Sequence, residues 1–462
     1  MNFPPVEVRY GRWDAPLSGS ARELRDLFGV DTAYKGVTVA SVELRLDGIT
    51  LITGFSGTGK SSLLRELRRT GRVRTIEDLP EIGPRDRVID LFDGEVRRNV
   101  SWLGRFGLGE PRLMMSKPEH LSEGQFHRLT LARLARLARL EGAVIAVDEF
   151  CSTLDRTTAR VIAHGFQKAC RTTGVDAVVA TAHDDLAEFV CPDDHVHLDF
   201  DGGVVRLPPP GPGLARWIAE EFTEGRGDRA DYDRLASYHY RSDDERWIDW
   251  DNLVTEVRTV KAGDRIAAVK VFCRPFPQGF EILPTLKAIN ARLLSQERVI
   301  VHPAFRGLSL NSLMWPSEGG AKTLVAQSAL GAFFPFNLRV GYRRVDHPSE
   351  SPAPAQLAMV SALQKFDPDV NLNSVEAVRR LLVELDDRQV ERIRALVATA
   401  LEDCTCRQIE FLAELADVEP LPSDLESVRE IVGRAVRAAD RDGLALFVET
   451  AAPFRMAGFV RP

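Results

Sequence analysis

The sequence predicts an α/β fold for residues 1–207, an α+β domain for residues 230–347 and a helical region for residues 348–462. Three observations support this division. A glycine-rich loop lies between an apolar strand and a helix, further apolar strands end at acidic or histidine residues, and a proline-rich break follows them. The chain is 44% hydrophobic and 27% charged, which is typical of a folded globular protein with about two to four domains.

The first element is the glycine loop, residues 54–61, which follows an apolar strand and leads into a helix. Its glycines let successive backbone N–H groups turn inward, and the positive end of the helix faces the same space. A lysine amine can then reach the terminal phosphates, and a serine hydroxyl is a natural Mg²⁺ ligand. The loop therefore predicts a site for a nucleoside triphosphate and Mg²⁺ built by Gly54, Ser56, Gly57, Thr58, Gly59, Lys60, Ser61 and Ser62.

A second motif, Leu121-Ser122-Glu123-Gly124-Gln125, precedes a helix, and an apolar strand at 144–147 then runs into Asp148 and Glu149. In order and spacing these segments resemble the signature and Walker B segments of ABC-type ATPases. The resemblance implies that Asp148 holds magnesium through water. It also implies that Glu149 orients or deprotonates the attacking water.

Two later segments extend the resemblance. Residues 152–155, ending at Asp155, resemble the family's D-loop, and His183, after an apolar strand, resembles its switch histidine near the γ-phosphate. The implied catalytic residues are Lys60, Glu149 and His183. The family shares each ATP between two copies, so the resemblance implies a homodimer formed through the ATPase domains, with trans contacts from Ser122, Gly124 and Gln125.

The chain also departs from the family pattern. Residues 61–121 contain no glutamine, so the family's magnesium-sensing glutamine is missing, and Asp90 or Asp93 is the candidate substitute. An aromatic residue that stacks on adenine is expected before the glycine loop. Tyr34 is the first candidate and Phe28 the second, although either could be a core aromatic residue.

Several features exclude other classes of protein. No apolar run approaches the ~20 residues that a membrane helix needs, so we expect no membrane partner and no transport role. The first residues lack a basic segment followed by an apolar core, which favours a cytoplasmic location. A net charge of −7 argues against a wholly basic surface. The proline-rich run at 207–213 predicts a linker over residues 208–229.

After the linker, residues 256–261 and 266–273 predict a β-hairpin, and residues 284–294 and 298–301 predict a helix and a strand. The following segment, Val301-His302-Pro303-Ala304-Phe305-Arg306-Gly307, resembles the acyl-CoA-binding motif of GNAT acetyltransferases. The resemblance implies that Arg306 and Gly307 approach the pyrophosphate of acetyl-CoA or another acyl-CoA. It covers roughly residues 230–347.

Here too the sequence departs from the family, because Ser309 and Asn311 stand where glycine or alanine would allow close backbone approach. Two functions therefore stay open. In the first, ATP-dependent dimer closure controls a GNAT-like acyltransferase that modifies a macromolecule, with nucleic acid or a ribonucleoprotein as the candidate substrate. In the second, a degenerate GNAT-like module serves an ATP-regulated, non-catalytic switch or scaffold. Amphipathic helices over residues 374–447 predict a cap or dimerisation region.

Overall fold

The computed structural model describes residues 6–10, 17–29, 37–201, 203–239, 248–317, 322–328, 336–452 and 456–461. The chain forms two compact units. The first unit is Met1–Thr223 with His302–Leu310, and the second is Glu224–Val301 with Asn311–Pro462. Two features differ from the expected division: the border at 347/348 lies inside the second unit, and residues 302–310 belong to the first. In the described ranges, no helix is long and apolar enough to cross a membrane.

The first unit is built on a six-stranded sheet with the strand order β4-β5-β6-β3-β7-β8. All neighbours are parallel except β8, which is antiparallel to β7. A separate two-stranded sheet pairs β1 with β2. The strands are β1 Val6–Tyr10, β2 Val37–Val42, β3 Ile49–Gly54, β4 Val73–Arg74, β5 Val144–Val147, β6 Ala177–Ala180, β7 Asp194–Leu198 and β8 Val204–Leu207.

Helices of the first unit connect these strands. Leu63, Leu64 and Leu67 are buried at helical spacing on α2 and join a core with residues of β3, β5, β6 and β7. The helix α5 ends where Gly142 adopts a left-handed conformation with φ 64°. The helices are α1 Gly19–Phe28, α2 Lys60–Arg69, α3 Val96–Arg105, α4 Pro111–Met114, α5 Glu123–Glu141, α6 Arg156–Thr173, α7 Ala187–Val190 and α8 Leu214–Glu221.

The parallel strands explain why residues far apart in sequence meet. Because β5, β6, β3 and β7 are adjacent and parallel, their carboxyl ends lie along one edge of the sheet. The glycine loop follows β3, the Asp148–Glu149 pair follows β5, and His183 lies shortly after β6. This edge is where the sequence predicts the nucleotide.

The second unit contains a seven-stranded sheet with the order β14-β15-β13-β12-β11-β10-β9. The predicted hairpin is confirmed as β10 and β11, and β12 and β13 pair in parallel. The strand β15 pairs with both β13 and β14, so residues near the end of the chain complete the sheet. The strands are β9 Phe222–Gly227, β10 Val254–Ala262, β11 Arg265–Cys273, β12 Leu293–Val301, β13 Thr323–Ser328, β14 Arg343–Val345 and β15 Ala457–Arg461.

Helices make up most of the described part of residues 348–462. The longest, α13, has 30 residues and begins with a capping box between Asp386 and Gln389. Its first half packs in a core with α11, α12 and α15, and its last turns pack with α10 and α14. The helices are α9 Arg229–Ala236, α10 Pro284–Arg292, α11 Pro354–Leu363, α12 Val375–Glu384, α13 Asp387–Ala416, α14 Pro422–Ala438 and α15 Arg441–Ala451.

Candidate functional site

The glycine loop has the backbone conformation that its sequence predicts. Gly54, Gly57 and Gly59 have φ values of 140°, 90° and 97°, a region that residues with a Cβ atom rarely adopt. A Cβ atom on Gly54 would lie 2.3 Å from the backbone oxygen of Leu198. The hydroxyl of Thr58 donates to the Phe55 oxygen at 2.9 Å and holds the curve of the loop. The Thr58 N–H also donates to the Phe55 oxygen, at 3.4 Å, so the loop is a tightly curved cradle.

Lys60 is the first residue of α2 and folds back over this cradle. Its Nζ donates to the backbone oxygens of Gly54 and Phe55 at 2.6 and 2.7 Å. Burial lowers the pKa of Lys60, while the carboxylates of Asp148, Asp184 and Glu149 act in the opposite direction. The amine therefore lies where phosphate oxygens could replace the two carbonyls.

Ser61 and Asp148 provide the hard oxygen donors that Mg²⁺ prefers. Both residues are exposed, and one carboxylate oxygen of Asp148 already accepts the backbone N–H of Glu149 at 2.9 Å. Within the described ranges, no group of three or more His, Cys, Asp or Glu side chains could hold a metal ion. The residues thus fit a magnesium ion that takes its remaining ligands from water and phosphate.

Glu149 has a strained backbone, with φ 47° in the left-handed region. Such strain costs about 1–3 kcal/mol and often occurs at functional sites. His183 is half-buried just beyond β6, and its backbone N–H donates to the Thr181 hydroxyl at 3.2 Å. Since β6 lies between β5 and β3, both candidate catalytic side chains stand on the same side of the glycine loop.

Ser122 caps the N-terminus of α5. Its hydroxyl accepts the Gln125 N–H at 3.4 Å, and the Gln125 side chain accepts the Ser122 N–H at 3.0 Å. A Cβ atom on Gly124 would lie 3.0 Å from Cγ2 of Thr158, so this glycine lets α5 approach α6. Ser122 is exposed to solvent.

Asp155 caps the N-terminus of α6 by accepting the Thr158 N–H at 3.0 Å. Partial burial alone would raise the pKa of Asp155, but hydrogen bonds from the side chain and backbone of Thr158 lower it. The carboxylate therefore stays charged and orients the start of the helix.

A polar cluster that was not predicted lies beneath the glycine loop. The Thr53 hydroxyl is fully buried and lies 3.0 Å from Nε2 of His195 and 3.0 Å from Nδ1 of His197. Burial lowers the pKa of His195, although Asp184 opposes the change. The two histidines are alternate residues of β7, and alternate residues of a strand point to the same face. This spacing was the sequence signal that could have predicted that they lie together.

Other predicted site residues have different surroundings. Asp90 belongs to a short 3₁₀ helix, Val88–Leu91, where its carboxylate accepts the Arg87 N–H at 3.1 Å. Phe28 ends α1 and is 73% exposed. Tyr34, the first candidate for adenine stacking, lies outside the described residues.

Arg306 and Gly307 belong to the first unit. Nη1 of Arg306 lies 2.5 Å from Oε2 of Glu110, and the two side chains are only 17% and 15% exposed. The backbone oxygen of Arg306 accepts a hydrogen bond from Arg128 at 3.0 Å. Between Gly307 and residue 317 the described helical structure is a short 3₁₀ helix, Leu310–Leu313. The guanidinium is thus engaged by a protein carboxylate.

Comparisons with known proteins found no matching family model and no matching curated protein. Among solved structures, a dimeric bacterial ABC transporter cassette is 20% identical over 38% of this chain and 94% of its own, with a TM-score of 0.29. A dimeric post-hydrolysis state of such a cassette, bound to ADP and Pi, is 18% identical over 45% of this chain and 99% of its own, with a TM-score of 0.31.

A third solved structure is cbiO1 from Clostridium perfringens, part of the ABC transporter complex cbiONQ. It is 18% identical over 40% of this chain and 88% of its own, with a TM-score of 0.31. These neighbours are ATPase cassettes of ABC transporters. Proteins this distant share at most a fold, so the function proposed next depends on the residues of this chain.

Proposed function

We propose that this chain is a Mg²⁺-dependent ATP hydrolase that works as a homodimer. The convergence of Lys60, Asp148 and Glu149 at one edge of the sheet is the observation that carries the proposal. The glycine cradle would hold the phosphates, and the exposed Ser122 cap of a second copy would cover the γ-phosphate. Binding of ATP would then stabilise the dimer, and hydrolysis would weaken it.

The chemistry follows from the position of each group. The oxygen of a water molecule bonds to the γ-phosphorus, its proton passes to the Glu149 carboxylate, and the bond to the β–γ bridging oxygen breaks to release ADP. Lys60 balances the charge that develops on the phosphate oxygens, and His183 is placed to donate to one of them. When bound, Mg²⁺ supplies further charge balance at those oxygens.

For residues 230–347 we favour a binding module controlled by ATP. The pair between Arg306 and Glu110 supports this choice, because the guanidinium that would bind the CoA pyrophosphate is already neutralised. The acyltransferase acting on a macromolecule such as nucleic acid is the second candidate. It is supported by the hairpin, helix and parallel strand pair that occur in the expected order.

Mixing two inactive variants tests the shared site. Lys60→Ala removes the cradle's charge and Ser122→Ala removes the trans contact, so each variant alone should hydrolyse ATP at a small fraction of the wild-type rate. Random heterodimers contain one intact site each, so an equimolar mixture should recover about a quarter of the wild-type rate. A mixture as inactive as its components would overturn the shared site.

Calorimetric titration with acetyl-CoA separates the two candidate roles of residues 230–347. The binding-module proposal predicts no heat of binding, with or without ATP. A saturable heat that disappears in Arg306→Met would support the acyltransferase instead. Titration with ATP in the same cell verifies that the protein sample is active.

A further inference from the structure

Two exposed aromatic side chains stack on each other at the mouth of the glycine loop. The ring centroids of Phe55 and Phe200 are 4.7 Å apart, and the ring planes differ by 14°. Phe55 is the second residue of the loop and is 58% exposed, while Phe200 follows β7 and is 68% exposed. Exposing two large rings to water is unfavourable, and the exposed part of each ring offers a flat apolar surface on which a further flat ring could stack.

The strand order gives the direction in which a bound nucleotide extends. The candidate catalytic residues Glu149 and His183 follow β5 and β6, which lie on one side of β3. The γ-phosphate therefore belongs on that side of the glycine loop. The rest of the nucleotide extends across β3 toward β7, where Phe200 stands.

The two ends of the site also differ in charge. Lys60 marks the phosphate end, whereas Phe200 lies between the exposed carboxylates Asp199 and Asp201. Phosphate groups would be repelled at this turn, while an uncharged base would not. Asp199 accepts the N–H of Phe200 at 2.8 Å, and Asp201 accepts that of Gly203 at 2.9 Å.

From these observations we infer that the Phe55–Phe200 pair is the stacking platform for the base of the nucleotide. The inference rests on the proposed function, since it requires a triphosphate in the glycine loop. It assigns base recognition to Phe200 on the β7–β8 turn, whereas the sequence alone suggested Tyr34. Because every base has a flat face that can stack on a ring, the platform by itself does not select one base over another.

Two probes distinguish binding of the base from binding of the phosphates. One is the non-hydrolysable adenosine 5′-(β,γ-imido)triphosphate, and the other is inorganic tripolyphosphate, which has no base. Base–aromatic stacking is worth about 1–3 kcal/mol, so Phe200→Ala should weaken binding of the nucleotide about 5- to 150-fold. Its affinity for tripolyphosphate should stay at the wild-type value, and Phe200→Tyr should keep both affinities.

Matched controls make each outcome decisive. Phe366→Ala removes a 43% exposed phenylalanine of the second unit and should change neither affinity. Unchanged nucleotide affinity in Phe200→Ala, equal loss of both ligands, or a loss in Tyr34→Ala alone overturns the inference. If the wild-type protein binds neither probe, the proposed ATP site itself is wrong, which is a different result.

Discussion

Arg128 donates a hydrogen bond from Nη1 to the backbone oxygen of Arg306 at 3.0 Å. Arg128 is only 6% exposed, and burial, with a smaller contribution from the charge of Arg306, lowers its pKa to about 10. A buried guanidinium needs acceptors, and the turn at 306 supplies one. Because Arg128 lies on α5, the helix that Ser122 begins, residues 302–310 are part of the structural support of the candidate ATP site.

Replacing Glu149 by glutamine should slow ATP hydrolysis by roughly 10²-fold or more, because the amide cannot accept the proton of the attacking water. Binding of ATP should persist, so the nucleotide-bound dimer should accumulate. Phosphate release and light scattering with ATP measure the two effects. Glu220→Gln, at an exposed position of α8, should behave as wild type, and a Glu149→Gln protein that stays monomeric with ATP would contradict the shared site.

Arg306 and Glu110 should be energetically coupled. Since both side chains are mostly buried, removing one partner leaves the other without its hydrogen bond, and Arg306→Met or Glu110→Gln should each destabilise the first unit by about 1–3 kcal/mol. In the double variant the two losses should not add, and urea unfolding of all four proteins measures the coupling. Arg69→Met, which breaks an exposed pair with Glu66, should cost less than about 1 kcal/mol. Strict additivity at Arg306 and Glu110 would rule out the pairing.

His347 should make the stability of the second unit depend on pH. Burial lowers its pKa from 6.5 to about 4, and its Nδ1 already accepts the Ser349 N–H at 3.2 Å. The unfolded chain therefore takes up a proton at higher pH than the folded one. The contribution of neutral His347 to the free energy of unfolding is fully present above pH 6.5 and decreases as the pH drops toward 4. The total decrease is about 3 kcal/mol.

The control for this pH dependence is His347→Asn, which keeps a side-chain acceptor for Ser349 but does not titrate. Urea unfolding at several pH values between 4 and 7 should show a smaller loss of stability in the variant than in the wild type. Parallel curves for the two proteins would show that His347 is not the titrating group.

Gly54→Ala should abolish nucleotide binding or unfold the cradle. The new Cβ atom would meet the Leu198 oxygen at 2.3 Å, and a φ of 140° is strained for alanine. Gly57 also has a positive φ but has open space around it, so Gly57→Ala carries the backbone strain without the clash. We expect the larger loss of thermal stability at Gly54. Equal losses of thermal stability in the two variants would show that backbone strain, and not the clash with Leu198, causes the destabilisation.

Local patterns could be predicted from the sequence because they depend on neighbouring residues. The strand, glycine loop and helix around Lys60 are of this kind, and so is the hairpin that turns at Gly263. Two other contacts could not be predicted, because they join segments far apart in the chain. They are the pairing of β15 with β13 and the ion pair between Arg306 and Glu110. The motif resemblance at Arg306 predicted that its guanidinium binds the pyrophosphate of acyl-CoA. In the structure the guanidinium instead pairs with the carboxylate of Glu110. The stacking of Phe55 on Phe200 likewise required the strand order.

The assignment of residues 302–310 to the first unit constrains how this chain is made. A ribosome adds about 5–20 residues per second, so on the order of ten seconds separate the synthesis of Thr223 from that of His302. During that interval the nascent first unit lacks the carbonyl that Arg128 requires. A gene fragment that stops at the proline-rich segment would therefore yield a first unit that permanently lacks this carbonyl, and residues 302–310 supplied on a separate polypeptide would be needed to complete it.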